Sequence, residues 1–114
     1  MNSLKKIFLL VALSVASFSF SQSTDAGLAT IDANYCLVLD TDSEIQEHYS
    51  ADATGLNWTS AAHAAKKCGF HTNNLVTYTA DYENNSILIH IHMDRTYETK
   101  DVIWWNQYLL SICK

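Results

Sequence analysis

The sequence predicts an α+β fold, a two-layer sandwich in which two helices cover one face of a small antiparallel sheet, in the order β-α-β-β-α. Segments 75–82 and 87–94 alternate apolar and polar residues on either side of a four-residue turn, which is typical of a β-hairpin. Segments 55–70 and 99–113 repeat their apolar residues at helical spacing instead. Helices placed around a hairpin in this order favour packing on one side of the sheet.

Residues 1–21 have the composition of a secretory signal peptide. Lys5 and Lys6 precede an apolar run over 7–16 that is too short to span a bilayer. We expect cleavage after Ser21, no membrane span in the mature chain, and export of a bacterial protein to the periplasm or the medium.

The mature chain is short and acidic. Without residues 1–21, which contain two lysines and no acidic residue, 93 residues remain with a formal charge of −7. Such a chain repels phosphate backbones, so nucleic acid is excluded as a partner. Residues 22–32 are predicted to be a flexible leader, and 33–114 a single α+β domain.

Segment 40–54 is rich in acidic residues. Ser43 and Gln46 fit a capping box for a short helical turn. A calcium loop would need Gly where Ile45 stands and Glu where Ala51 stands. The segment is therefore predicted to be a solvated connection.

The predicted first strand, 35–39, is apolar on both faces, and the direction in which Cys36 points has two possible consequences. If it points towards the helices, it lies near the end of the first helix and pairs with Cys68, which leaves Cys113 unpaired. If it points away, it can serve as a metal ligand on the opposite face of the sheet. We favour the Cys36 to Cys68 disulfide, since such a link stabilises an exported domain by about 2–4 kcal/mol.

The second hairpin strand carries alternating His90, His92 and Asp94, all predicted to face away from the helices. Imidazole suits both Zn²⁺ and Cu²⁺. A periplasmic site for one of these ions, with Cys36 or Asp94 as a further ligand, is the alternative function. No other cofactor is predicted.

The outward face of the sheet is the predicted interaction surface. Exposed apolar surface of this kind calls for a partner, either a second copy or another exported protein. Its predicted residues are Tyr35, Leu37, Leu88, His90 and His92, with Trp104 of the second helix as a further contact. No nucleophile motif, H-E-x-x-H motif or phosphate-binding glycine loop is present, so no catalytic residue is predicted and the leading hypothesis is binding without catalysis.

The helices are predicted from their caps and stripes. Asn57 or Thr59 caps the first, whose inner stripe includes Ala61, Ala65 and Cys68 and which ends at Gly69. The second is capped by Thr99, and its inner stripe is Val102, Trp105, Leu109 and Ile112.

The stretches "GLNWTSAAHAAKKCGF" and "NNLVTYTADYENNSILIHI" resemble a heavy-metal-associated domain, the ferredoxin-like module of copper chaperones and metal-pumping ATPases. The likeness covers Gly55 to Cys113 and implies a ferredoxin-like sandwich with adjacent first and third strands. This adjacency would bring an outward-pointing Cys36 near His90 or His92. In that family the loop reads G-M-x-C-x-x-C, and its cysteines bind the metal. Here Gly55 and Leu56 match, but Trp58 and Ala61 stand at the cysteine positions. The resemblance therefore implies the fold without the family's metal site.

Overall fold

The computed structural model describes residues 26–113, which form an α+β fold of five strands and two α-helices. The strands are β1 (Gly27–Ile31), β2 (Leu37–Leu39), β3 (His48–Asp52), β4 (Val76–Asp81) and β5 (Ser86–Ile91), and the helices are α1 (Ala61–His71) and α2 (Val102–Ile112). The predicted signal peptide and residues 22–25 of the predicted leader lie outside the described range. Within that range, no helix has the length and hydropathy needed to cross a membrane.

The strands form one mixed sheet in the order β2-β1-β3-β5-β4. Neighbours are antiparallel except β1 and β3, which run parallel with Gly27 opposite Tyr49. The prediction of a wholly antiparallel sheet is therefore wrong. The strand predicted to come first corresponds to β2, which β1 and β3 separate from β5, so the expected contact between the first and third strands is absent from the described sheet.

Two strands lie in segments that were predicted to lack them. Part of the predicted leader forms β1, where Gly27 lies so close to Tyr49 that an added Cβ would be 2.6 Å from ring atom Cε2. Part of the acidic segment forms β3, in which buried Tyr49 and Ala51 alternate with exposed His48 and Asp52. Both strands are short, and pairing with neighbours distant in sequence stabilises them more than their own composition does.

The predicted hairpin is confirmed. Val76 pairs with Ile91 and Tyr78 with Ile89, and all four side chains are buried. The connection includes Asn85 in the left-handed region at φ 52°, a conformation that Asn tolerates better than most residues.

Helix α1 differs from its prediction at both ends and in its buried face. Ser60 caps it by accepting a hydrogen bond from the His63 N–H, and the helix continues through Gly69 to His71. Its buried residues are Ala64 and Cys68, whereas Ala61 and Ala65 are exposed. The helix is thus rotated relative to the predicted stripe.

Helix α2 buries Val102, Trp105 and Leu109, as predicted, while Ile112 is partly exposed. Asp101 caps it by accepting a hydrogen bond from the Trp104 N–H, so the cap lies two residues after the predicted Thr99. Cys68 of α1 and the three buried residues of α2 belong to one core with the inward side chains of the sheet.

The disulfide joins Cys36 to Cys113, with a Cα to Cα distance of 5.1 Å, so the predicted Cys36 to Cys68 pairing is wrong. Asn106 fixes α2 along β2 by bonding both the N–H and the C=O of Leu39. Cys36 lies three residues before Leu39 in extended chain, and Cys113 lies seven residues after Asn106 along the helix. Both separations are about 10 Å, so the two cysteines lie beside each other. Cys68 is unpaired and buried against β4.

Candidate functional site

The candidate site lies on the face of the sheet opposite the helices, called here the open face. Along β5, Ile87, Ile89 and Ile91 point into the core, so the intervening His90 points outward. Along β3, buried Tyr49 likewise turns His48 outward. His90 and His92 therefore lie on the side on which the sequence placed them.

His48 and His90 are directly opposite each other in the β3 and β5 ladder. Their ring centroids are 4.6 Å apart, as expected for a cross-strand pair on one face. Glu47 precedes β3, and its Oε2 accepts a hydrogen bond from His90 Nε2 at 2.9 Å. One potential ligand atom from each of these three residues lies within 4.8 Å of the other two. We call Glu47, His48 and His90 the histidine cluster.

His92 extends the row of imidazoles beyond the cluster. Its ring centroid is 4.2 Å from that of His90, and its Nε2 shares a hydrogen bond of 2.7 Å with Oγ1 of Thr77 on β4. Partial burial lowers the pKa of His92, and the nearby positive charge of Arg95 acts in the same direction. The neutral ring, which has a lone pair available for a metal, is thus favoured.

The cluster has the donor types of a transition-metal site. Bonds of about 2.0–2.2 Å to nitrogen and oxygen place tetrahedral ligand atoms about 3.3–3.6 Å from one another. The Glu47 to His90 contact is already shorter than this, and the whole group lies within 4.8 Å. Rotation of partly exposed side chains can close the remaining gap, since His90 and Glu47 are 37% and 57% exposed.

Two residues predicted for the interaction surface are in the core instead. Tyr35 and Leu37 are 7% and 3% exposed, because this side of β2 packs against the helices. Tyr35 adopts a positive φ of 62°, stacks on His71 at a centroid distance of 4.1 Å, and accepts a hydrogen bond from Trp58 Nε1. Its ring thus fastens the start of β2 to both ends of the α1 region.

The other predicted site residues lie apart from the histidine cluster. Trp104 is on α2, partly buried against the core, where it stacks on Tyr108. Asp94 follows β5 in a short 3₁₀ turn and is exposed, and it does not belong to the cluster. Cys36 is bonded to Cys113, so the prediction that it serves as a metal ligand is wrong.

Leu88 does lie on the open face, with other exposed apolar side chains. Leu28 on β1 and Leu88 on β5 flank Ser50 on β3, and Val38 projects from β2 on the same side. The three apolar residues are 69%, 44% and 54% exposed, respectively. The open face therefore combines an apolar region with the row of histidines.

Sequence reasoning missed Glu47 and His48 because their segment was interpreted as a solvated connection. A signal was nevertheless present: Tyr49, Ala51 and Ala53 alternate with polar residues, as a half-buried strand requires. Recognition of that strand would have placed His48 outward.

A separate cavity of about 400 Å³ lies between α1 and β4 and includes Cys68 and Tyr78 in its lining. Burial raises the pKa of Cys68 to about 11 and that of Tyr78 to about 12. Both groups are thus protonated at neutral pH, and Cys68 does not supply a thiolate there.

No protein-family model, curated protein or solved structure matches this chain.

Proposed function

We propose that this protein binds a divalent transition metal, Zn²⁺ or Cu²⁺, through Glu47, His48 and His90 on the open face. The observation that carries the proposal is the convergence of these three side chains, with ligand atoms within 4.8 Å of one another. Two imidazoles and a carboxylate suit both ions, whereas Mg²⁺ and Ca²⁺ prefer oxygen ligands alone.

The backbone holds Glu47, His48 and His90 in position in the metal-free protein. His48 and His90 are fixed opposite each other by β-ladder pairing, and the Ile91 N–H donates to the Glu47 C=O at 2.8 Å. Only side-chain rotations are then needed to enclose an ion. The cost of ordering flexible chain is small, which favours affinity.

The hydrogen bond between Glu47 and His90 supports a position for the ion between these two side chains. His90 Nε2 donates a hydrogen bond to Glu47 Oε2, and a metal placed between them would bond to both atoms once the ring hydrogen has shifted from Nε2 to Nδ1.

Isothermal titration of the oxidised, purified protein with Zn²⁺ and Cu²⁺ tests the proposal. We expect one ion per chain, a dissociation constant of micromolar or tighter for at least one metal, and a loss of at least about tenfold in affinity in His90→Ala and in His48→Ala. Failure of the wild type to bind either ion would refute the proposal, as would unchanged binding in both variants.

Matched variants separate coordination from charge. Glu47→Gln and Glu44→Gln remove the same charge from exposed side chains in one segment, but only Glu47 contacts His90. We expect Glu47→Gln alone to weaken binding. Asp94→Asn, which changes a carboxylate outside the cluster, should bind as the wild type does.

The hypothesis that the open face contacts a second copy or another exported protein stays a prediction, and so does the absence of catalysis. Exposed Leu28, Val38 and Leu88 support the first, while the burial of Tyr35 and Leu37 removes part of its basis. Sedimentation of the metal-free protein at rising concentration measures whether copies associate.

We also propose that the protein acts outside the cytoplasm. The Cys36 to Cys113 disulfide is typical of oxidising compartments. The intact mass of protein recovered from the medium and from the periplasm would show both the site of cleavage and the compartment.

A further inference from the structure

His92 is an imidazole beside the histidine cluster that makes a separate contact. It lies two residues after His90 on the same face, next to His90 in the row of rings. Its Nε2 is directed to Thr77 Oγ1 at 2.7 Å, on the β4 side of the row, whereas the cluster lies on the β3 side. Thr77 is itself opposite His90 in the ladder, so this hydrogen bond is fixed by sheet register.

Release from Thr77 would bring His92 within reach of an ion bound at His90. Alternate residues of a strand project from the same face, so His90 and His92 can both direct ring nitrogens at one ion. His92 is only partly buried and follows the end of β5, which leaves its side chain room to rotate.

Zn²⁺ and Cu²⁺ differ in what they gain from His92. In sites that keep an open position, Zn²⁺ is held by three protein ligands and a water molecule, and Glu47, His48 and His90 already provide the three protein ligands. Cu²⁺ favours tetragonal surroundings of nitrogen and oxygen, and it binds such ligands more strongly than Zn²⁺ does. A further imidazole ligand therefore offsets the loss of the Thr77 hydrogen bond more readily with Cu²⁺ than with Zn²⁺.

We propose that His92 is a reserve ligand, held by Thr77 in the metal-free protein, which joins the cluster when Cu²⁺ binds and stays on Thr77 when Zn²⁺ binds. This inference rests on the proposed function, because it presumes an ion at the cluster. It makes the Thr77 to His92 pair a determinant of metal selectivity.

Affinities of four proteins for each metal test the inference: wild type, His92→Ala, Thr77→Val and Thr79→Val. We expect His92→Ala to weaken Cu²⁺ binding by at least about tenfold and leave Zn²⁺ within about twofold. Thr77→Val should strengthen Cu²⁺ binding by about three- to tenfold, since the hydrogen bond no longer competes. Thr79→Val changes a threonine of β4 that is opposite Leu88, and it should alter neither constant.

Electron paramagnetic resonance of the Cu²⁺-loaded proteins reads the coordination directly. The wild type should show one more coupled imidazole nitrogen than His92→Gln does. If Thr77→Val folds poorly by near-ultraviolet circular dichroism, Thr77→Ala replaces it, since it also removes the hydroxyl and should likewise strengthen Cu²⁺ binding. Thr77→Ser, which retains the hydroxyl, should keep wild-type affinities.

The outcomes distinguish the two proposals. A wild type that binds metal while His92→Ala weakens both ions equally, or weakens neither, overturns the role of His92 and leaves the cluster intact. Identical copper spectra for wild type and His92→Gln would likewise overturn the role of His92 and leave the cluster intact. A wild type that binds neither ion overturns both proposals.

Discussion

Removal of the Cys36 to Cys113 disulfide should cost much of the stability of this domain. The bond connects residues 77 positions apart. In the chain-entropy treatment, opening a loop of that size releases about 15 cal/mol/K to the unfolded chain, or about 4.5 kcal/mol at 25 °C. Domains of this size are commonly stable by only about 5–15 kcal/mol, so the loss is a large fraction of the total.

Urea unfolding followed by tryptophan fluorescence measures this loss, because Trp105 is fully buried. With a urea m-value of about 1–2 kcal/mol/M, the midpoint of Cys36→Ser/Cys113→Ser should fall by about 2–4 M. Reduced wild type should behave like this double variant, and a Cys68→Ala variant should keep the response to reductant. Refutation would be a loss below about 1 kcal/mol, or a peptide map in which Cys68 carries the bond.

Three further predictions concern the core and the backbone. Leu109→Ala should cost about 2–5 kcal/mol in chemical denaturation because the side chain is 2% exposed, whereas Leu110→Ala, 73% exposed and adjacent on α2, should change stability by less than about 0.5 kcal/mol. Gly27→Ala should destabilise the fold by about 1–3 kcal/mol, because its methyl group would meet the Tyr49 ring at 2.6 Å. Gly69→Ala has open space in a helix and should stabilise the fold by about 0.5–1 kcal/mol. Thermal unfolding of both variants measures the sign of each change. Cys68 should resist alkylation at pH 8 and react once urea is added, because burial raises its pKa to about 11; appreciable labelling of the folded protein at that pH would contradict the burial.

The elements that the sequence predicted well are those whose pattern is local and long. The hairpin strands alternate over six residues each, and α2 repeats its buried residues over eleven. The strands β1 and β3 have five residues each and include Gly27 and Asp52, which carry low strand propensity. Their pairing joins segments that a local pattern cannot connect, so the sheet order and the disulfide could not be predicted.

Only the part of the candidate site that lies on β5 could be predicted, because the rest depends on pairing between segments distant in sequence. His90 and His92 lie on a strand with a strong period of two, so their face could be predicted from β5 alone. His48 depends on the register between β3 and β5, which is a tertiary property. The error in the disulfide partner of Cys36 follows likewise from the position of α2 beside β2, which Asn106 fixes through its bonds to Leu39.

Tyr49 connects the core to the histidine cluster. Its ring is 2% exposed and packs beneath the Gly27 backbone, while its hydroxyl accepts a hydrogen bond from the Gln46 N–H at 3.0 Å. Glu47 and His48 lie between the two ends of that contact, so their backbone is held at Gln46 on one side and at the buried ring on the other. The close approach of β1 that Gly27 permits therefore helps to place the cluster. β1, which lies in the segment predicted to be a leader, thus helps to position Glu47 and His48, which lie in the segment predicted to be a connection.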